Sequence, residues 1–253
     1  MNDDDGSSPA VPSVPEPGLS AARDELLRQI QADYSTTIRR VEFPNLTMEI
    51  LKAADPDRIL EEAVRSEEAS PDGTTAWQPY WAEAWDSAIA LGSWLIREGL
   101  PSSSSKPATV LDLGCGLGVA GAVAAHLGCL VTLGDNAPPS LPFAEWNVWP
   151  WKTRAHVRHL DWYQDQLEYQ GFDVILGADI LYERESWPAQ NNFCQYHLRT
   201  GGTLLFAEPN RLLSNDFAKT FEANGWLVEC WMYHPPEVPK ALRMFRCQRA
   251  DEC

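Results

Sequence analysis

Five strongly apolar runs of strand length recur through the second half of the chain: ATVLDL (108–113), CLVTLGD (129–135), VRHLDW (157–162), FDVILGAD (172–179) and GTLLFAEP (202–209). Helix-length segments separate them. Near-continuous apolar runs are those of strands covered on both faces, and helical connections return successive strands parallel to one another. The pattern predicts βα units around a mostly parallel sheet. A helical stretch, NDFAKTFEANG (215–225), is followed by WLVECWMYH (226–234) and ALRMFRCQR (241–249), with only PPEVPK between these two runs. Six residues are too few for a crossover helix, so this last pair is expected to form an antiparallel hairpin. Seven strands result, the final one antiparallel.

The region before residue 75 has a different character. Residues 1–19 are rich in Pro, Ser, Gly and Asp and read as a disordered tail. Ser20 is placed to cap a helix from Ala21 to about Tyr34. RRVEFPNLTMEIL (39–51) alternates loosely around a Pro-Asn turn signal at 44–45 and suggests a short hairpin or extended arm. DPDRILEEAVRSEE (55–68) reads as a helix opened by Asp and Pro. Residues 1–70 hold 15 acids and 7 bases, a net of -8, half of the formal charge of -16 of the whole chain. The expected organisation is a tail (1–19), an acidic extension (20–74) and a catalytic-sized α/β domain (75–253). Within the domain's entry, Trp77 to Gly99 carries apolar residues at helical spacing, and Trp77, Trp81 and Trp85 share one face if the segment is helical, which Pro79 allows only in the first turn, with Trp77 at or before the helix start. The serine run at 102–105 reads as a flexible joint.

Chemistry concentrates at VLDLGCGLGVAGAVAAHLG (110–128). A strand ends at Asp112-Leu113 and turns through Gly114, Gly116 and Gly118 into a helix, whose first N–H groups lack partners. GLGVAG (116–121) formally matches the dinucleotide pattern GxGxxG, but it begins two residues after the first glycine following the strand. Asp112 also argues against a diphosphate, since a carboxylate there suits an ammonium group. S-adenosylmethionine has such a group. Asp135 ends the second strand, where a short carboxylate can accept hydrogen bonds from ribose hydroxyls. Asp161 and Trp162 close the third run, placed for an adenine edge and face.

These residues resemble the seven-β-strand, class I S-adenosylmethionine-dependent methyltransferases. The match lies in VLDLGCGLGVAG, the acid of LGD at Asp135, LDW at 160–162 and FDVILGADILYE at 172–183. AWDSAIALGSWL (84–95) resembles the group that holds protein-lysine methyltransferases and nicotinamide N-methyltransferase-like proteins. That group carries an acid-x-x-aromatic motif after the fourth strand, matched by Asp179-Ile180-Leu181-Tyr182. The resemblance covers about residues 75–250. It implies a Rossmann-like doubly wound sheet of order 3-2-1-4-5-7-6 with helices on both faces. It implies S-adenosyl-L-methionine as cofactor and S-adenosyl-L-homocysteine as product. Trp85 would pack beside the cofactor, Gly114, Gly116 and Gly118 would surround its methionyl part, and Asp135 would hold its ribose. Asp161, Trp162 and, facing the adenosine, Asn136 would follow, with Ala178 adjoining at the end of the fourth strand. Glu is common in the family at the position of Asp112, so the shorter side chain here would reach through a water. Asp179 is expected to orient the acceptor amine and Tyr182 to shape its slot.

The expected reaction is in-line methyl transfer to an amine, foremost a protein lysine. The alternatives are a small amine or pyridine nitrogen, favoured by the aromatic content (Trp146, Trp149 and Trp151 among it), and a non-catalytic cofactor-binding module. An acidic surface suits a basic protein partner and repels nucleic acid and anionic membranes. No metal site is expected, because the histidines and cysteines show no HExxH, HxH or CxxC spacing. The cysteines read as buried thiols, and no GxSxG elbow supports hydrolase chemistry. The N-terminus lacks the pattern of a secretory signal, so a cytoplasmic, monomeric protein is expected.

Overall fold

The computed structural model describes residues 17–68, 79–100, 106–168 and 171–250. Most of the expected tail (1–19), Trp77 and the joint at 102–105 lie outside them. Four elements form the front of the chain: α1 (Pro17–Asp33), β1 (Thr36–Phe43), β2 (Leu46–Ala53) and α2 (Pro56–Glu68). β1 and β2 are an antiparallel hairpin closed by Pro44 and Asn45. Asn45 lies at φ 61°, the left-handed second position that a type II turn with Pro at its first position demands.

The main sheet has seven strands: β3 (Thr109–Leu113), β4 (Leu130–Asp135), β5 (Ala155–His159), β6 (Phe172–Ala178), β7 (Leu198–Glu208), β8 (Trp226–Tyr233) and β9 (Leu242–Arg249). Their spatial order is β5-β4-β3-β6-β7-β9-β8, with only β9 antiparallel to its neighbours. This is the expected 3-2-1-4-5-7-6 arrangement. Along each strand, alternate side chains enter one of two cores. Val110, Val174, Leu176, Leu205 and Met244 join the core under α3 (Asp86–Glu98), α4 (Val119–His126) and α5 (Ser140–Val148). Leu111, Ile175, Leu204, Phe206 and Phe245 join the core under α6 (Trp187–His197) and α7 (Ser214–Ala223). Period-two alternation between two apolar layers is why these strands read as unbroken apolar runs.

Two local expectations differ from the structure. Trp77–Gly99 is not one helix: a short 3-10 turn (Pro79–Ala82) precedes α3, and Trp85 caps α3 in an extended conformation. Proline at 79 fits that first tight turn, and the break lets Tyr80 and Trp85 point away from the core while Trp81 is buried. The third strand ends at His159 rather than at Trp162; Asp161 and Trp162 lie in the turn beyond it.

The front packs against the sheet's first core. Tyr34, Trp81 and Phe143 meet edge to face or tilted with centroids 5.3–5.7 Å apart, joining the end of α1 to the turn before α3 and to α5. Asn147, 3% exposed on α5, bonds across to the hairpin and to the glycine turn. Its Oδ1 accepts from Leu51 N at 2.7 Å, and its Nδ2 donates to Leu51 O at 3.1 Å and Leu117 O at 2.9 Å. Among the described residues no helix is long and apolar enough to cross a membrane.

Replacing Asn147 by Leu keeps the branched shape and heavy-atom count but strands three buried backbone groups, and is expected to cost about 2–4 kcal/mol of stability in urea unfolding. A cost under about 0.5 kcal/mol would mean that these backbone groups find other partners on relaxation.

Candidate active site

Ligands of open α/β sheets bind at the carboxyl ends of the strands, where the strand order reverses. Here that point lies between β3 and β6, neighbours paired in parallel from Val110↔Val174 to Asp112↔Leu176. The glycine turn follows β3 and the Asp179 loop follows β6, so topology sets the two motifs side by side.

The glycine turn is shaped by close approach. Gly114, Gly116 and Gly118 have φ of 64°, 52° and 74°, a region that disfavours any other side chain. A Cβ on Gly114 would stand 2.8 Å from Ile180 Cγ2 and 3.3 Å from the Trp162 ring. The turn, the Asp179 loop and the Trp162 turn therefore touch one another. A Cβ on Gly116 would stand 3.8–3.9 Å from the Trp81 backbone, in ordinary contact, so the segment before α3 lies against this part of the turn.

Asp135 braces the turn from β4. Its Oδ2 accepts from Gly116 N at 2.7 Å and its Oδ1 from Ala137 N at 2.9 Å. Burial raises its carboxyl from the ordinary value, opposed by these N–H groups. The Ser140 hydroxyl also bonds this carboxylate, which with about four lone-pair sites still has room for a ligand hydroxyl. Asp112 is only 1% exposed and accepts from Gly121 N at 2.8 Å, inside α4. It sits beneath the turn rather than at an open mouth, and burial lifts its carboxyl to about 7. A buried acid poised there fits a neighbouring ammonium, which would draw it back toward the charged form. These two carboxylates, one beneath the turn and one bracing it, fit a ligand that brings a cation and a hydroxyl.

Trp162 comes to the turn through its own loop. Asp161 Oδ1 accepts from Tyr163 N at 2.8 Å and Oδ2 from Gln164 Nε2 at 3.1 Å, so this acid folds the loop that carries the indole. Asn136 and Ala178 are half-buried at the ends of β4 and β6.

The second half of the site is a cleft of about 340 Å³ lined by Tyr80, Trp85, Asp179, Tyr182, Glu183 and Arg211. Asp179 is in the left-handed region at φ 59°, which Asp and Asn tolerate better than most residues, and its N–H donates to Ala207 O at 2.8 Å. The loop behind it is fixed by Gln190 Nε2 on Ile180 O at 2.8 Å and by Trp187 Nε1 on Leu181 O. Tyr80 and Tyr182 meet edge to face at 5.4 Å. Trp85 Nε1 donates to Tyr80 O at 2.7 Å. Burial, then Glu183, Tyr80, Asp135 and Asp179, push the Tyr182 phenol well up, so it stays protonated. Ile180, next to Asp179, stands against Gly114, which puts the loop of the cleft next to the glycine turn.

The hairpin secures this wall. Arg39 Nη2 pairs with Asp86 at 2.9 Å, and Lys52 pairs with Glu83, whose other oxygen accepts from Ala84 N at 2.8 Å. Trp146 stacks under Arg23 at 3.8 Å and Trp149 under Lys152 at 4.4 Å, while Trp151 meets His126. The cleft's aromatic lining is instead Tyr80, Trp85 and Tyr182. The expectation above omits Tyr80, Glu183 and Arg211. Arg211 stands at the mouth of the fifth parallel strand, three residues past Glu208, and that position alone was a usable signal.

Replacing Asp112 by Asn keeps an acceptor for Gly121 N and removes the titration. A carboxyl raised on folding favours the native state at low pH, and this contribution is lost as pH rises through its folded value of about 7. Between about pH 4 and 7 the ligand-free variant should gain on the natural chain by up to about 1.4 kcal/mol per pH unit in urea unfolding. Parallel stability curves would mean that Asp112 titrates normally.

The model of the lysine methyltransferase family matches residues 80–222, more than half of the chain. Protein N-lysine methyltransferase METTL21A of Xenopus tropicalis is 38% identical over 112 residues, covering 42% of this chain and 50% of the relative. EEF1A lysine methyltransferase 3 of Mus musculus is 31% identical over 144 residues, covering 55% and 60%. The chain thus spans about half the length of the curated relatives it matches. Among solved structures, the glycopeptide N-methyltransferase MtfA in complex with S-adenosyl-L-methionine aligns with a TM-score of 0.54 at 12% identity, over 64% of this chain and 94% of that one. At that identity the likeness is one of fold.

Proposed function

This chain belongs to the lysine methyltransferase family, and on that premise we propose that it methylates the side-chain nitrogen of a lysine in a protein, with S-adenosylmethionine as methyl donor. The observation that carries the reading is the cleft at the end of β6, where Asp179 and Tyr182 stand among aromatic rings while Ile180 of the same loop lies against the glycine turn.

When bound, the donor supplies a methyl group activated by its sulfonium and leaves as S-adenosylhomocysteine. The turn through Gly114, Gly116 and Gly118 would cradle its methionyl part, with Asp112 beneath as counter-charge to the amino group. Asp135 would accept from the ribose hydroxyls, and Trp162, Asn136 and Ala178 would border the adenosine. Asp161 serves this site by folding the Trp162 turn.

Trp85, Tyr80 and Tyr182 offer apolar faces for a lysine stem. Trp85 and Tyr80 are about two-fifths exposed, which suits an acceptor arriving from a macromolecular surface. Asp179 accepts an N–H from the amine and aims its lone pair along the transfer axis. A lysine ammonium with its ordinary pKa of about 10.4 must first release a proton to solvent. Tyr182, held protonated, shapes the slot and takes no proton. The formal charge of -16 favours a basic protein surface and disfavours nucleic acid.

Asp179→Asn keeps the left-handed backbone acceptable and removes the charge. With methyl-labelled donor and a fractionated cell extract, labelled protein bands should fall by about 100-fold in this variant while S-adenosylhomocysteine affinity stays within about twofold. Peptide mapping should place the label on lysine. Label confined to the small-molecule fraction would replace this reading with metabolite N-methylation.

A further inference from the structure

The acceptor cleft already contains a cation. Arg211 Nη1 donates to Asp179 Oδ1, and the Asp179 side chain is 7% exposed against 38% for Arg211. The pairing is built rather than incidental. Arg211 N donates to Glu208 Oε2 at 3.0 Å, and Arg211 O accepts from Ser214 Oγ at 2.9 Å. The preceding Asn210 sits at φ 60°, its Oδ1 taken by Arg243, which also donates to Asn215 at 2.6 Å. On the other side, Asp179 hangs from Ala207 O of the same strand, β7. Glu208 is 1% exposed, a buried acid whose Oε2 accepts from the backbone that presents Arg211.

This matters for a reaction that needs a neutral nitrogen. A lone carboxylate in a cleft holds an incoming ammonium in its charged, non-nucleophilic form. A carboxylate whose charge is already answered by a fixed guanidinium still accepts a hydrogen bond but no longer rewards a second cation. The charged and titratable groups facing the slot are Asp179, Tyr182 and Glu183 after β6, Tyr80 before α3, and Arg211 after β7, with Asp135 beyond Tyr182. Arg211 is the one cation among these cleft-lining residues.

We propose that Arg211 is the resident counter-cation of the acceptor slot, a positioning residue that denies an ammonium ion to Asp179 and so admits the acceptor nitrogen as the neutral amine. The inference rests on the reading of this cleft as the acceptor site. The proton leaves the ammonium for solvent before attack.

The test needs no turnover. n-Butylammonium, an analogue of the lysine side chain, is titrated into the protein at about pH 6.5, far below its pKa of roughly 10. Binding is followed by saturation-transfer NMR, with and without S-adenosylhomocysteine. Arg211→Gln should bind the cation about tenfold or more tightly than the natural chain. Arg211→Lys, which restores a positive charge, should return to the natural chain's weak binding. Adding Asp179→Asn to Arg211→Gln should abolish the gain. Equal binding by the natural chain and Arg211→Gln, including none by either, would overturn the proposal, as would tight binding by Arg211→Lys. S-adenosylhomocysteine affinity in the same samples reads the parent proposal separately, so the two can fail independently.

Discussion

Two adjacent strands, β3 and β6, run parallel and then part company: the helix after β3 packs in one apolar core, the helix after β6 in the other. Their turns must diverge, and the crevice left between them is where all the candidate chemistry collects. Asp112 and the glycine turn come from one strand, Asp179 and Tyr182 from the other. Neither set is close to the other in sequence. What joins them is backbone pairing in the sheet, together with contact so tight at Gly114 that a single methyl group there would displace Ile180.

Rigidity around the crevice comes from both directions. From below, Asp135 and Asn147 fix the glycine turn through its backbone, one at Gly116 N and the other at Leu117 O. From the side, the hairpin grips the wall before α3 through Arg39 and Lys52. From above, Glu208 and Arg243 hold the turn that carries Arg211. Placement of reacting groups within a fraction of an ångström needs such support, because small displacements are costly in rate.

The seven strands and the lone antiparallel strand were legible because burial on both faces leaves an unambiguous apolar run, while their order was implied by the family resemblance. The six-residue PPEVPK connection excludes a crossover. The glycine turn was legible because its left-handed backbone restricts residue type, whereas Asp135 and Asp179 were named from their places at strand ends and from the resemblance. The break before α3 was not. Three tryptophans at helical spacing imitate a helix face, and only packing decides that Trp81 turns inward while Trp85 turns out. Nor was the burial of Asp112 visible, since it depends on how closely α4 seats on β3. Tyr80, Glu183 and Arg211 escaped notice for a related reason: each belongs to an ordinary-looking loop and gains meaning only from what stands across the cleft. The cysteines behaved as composition suggests, with Cys115, Cys129, Cys194 and Cys247 buried and free; Cys230 is exposed.

The front hairpin and α1 share one apolar core with α3, α4 and α5, and this has a bearing on how the protein can be divided. A fragment beginning near residue 75 would contain every glycine, acid and aromatic residue of the crevice and would look self-sufficient on paper. It would also lay bare Phe143, Trp81 and Trp146, strip Arg23 from its indole and remove one of the two chain segments tied by Asn147. Large exposed apolar faces of that kind lead to association rather than to a smaller stable fold. The extension is thus a structural member of the α/β unit, and trimming the chain to its recognisable motif would forfeit the scaffold on which that motif depends.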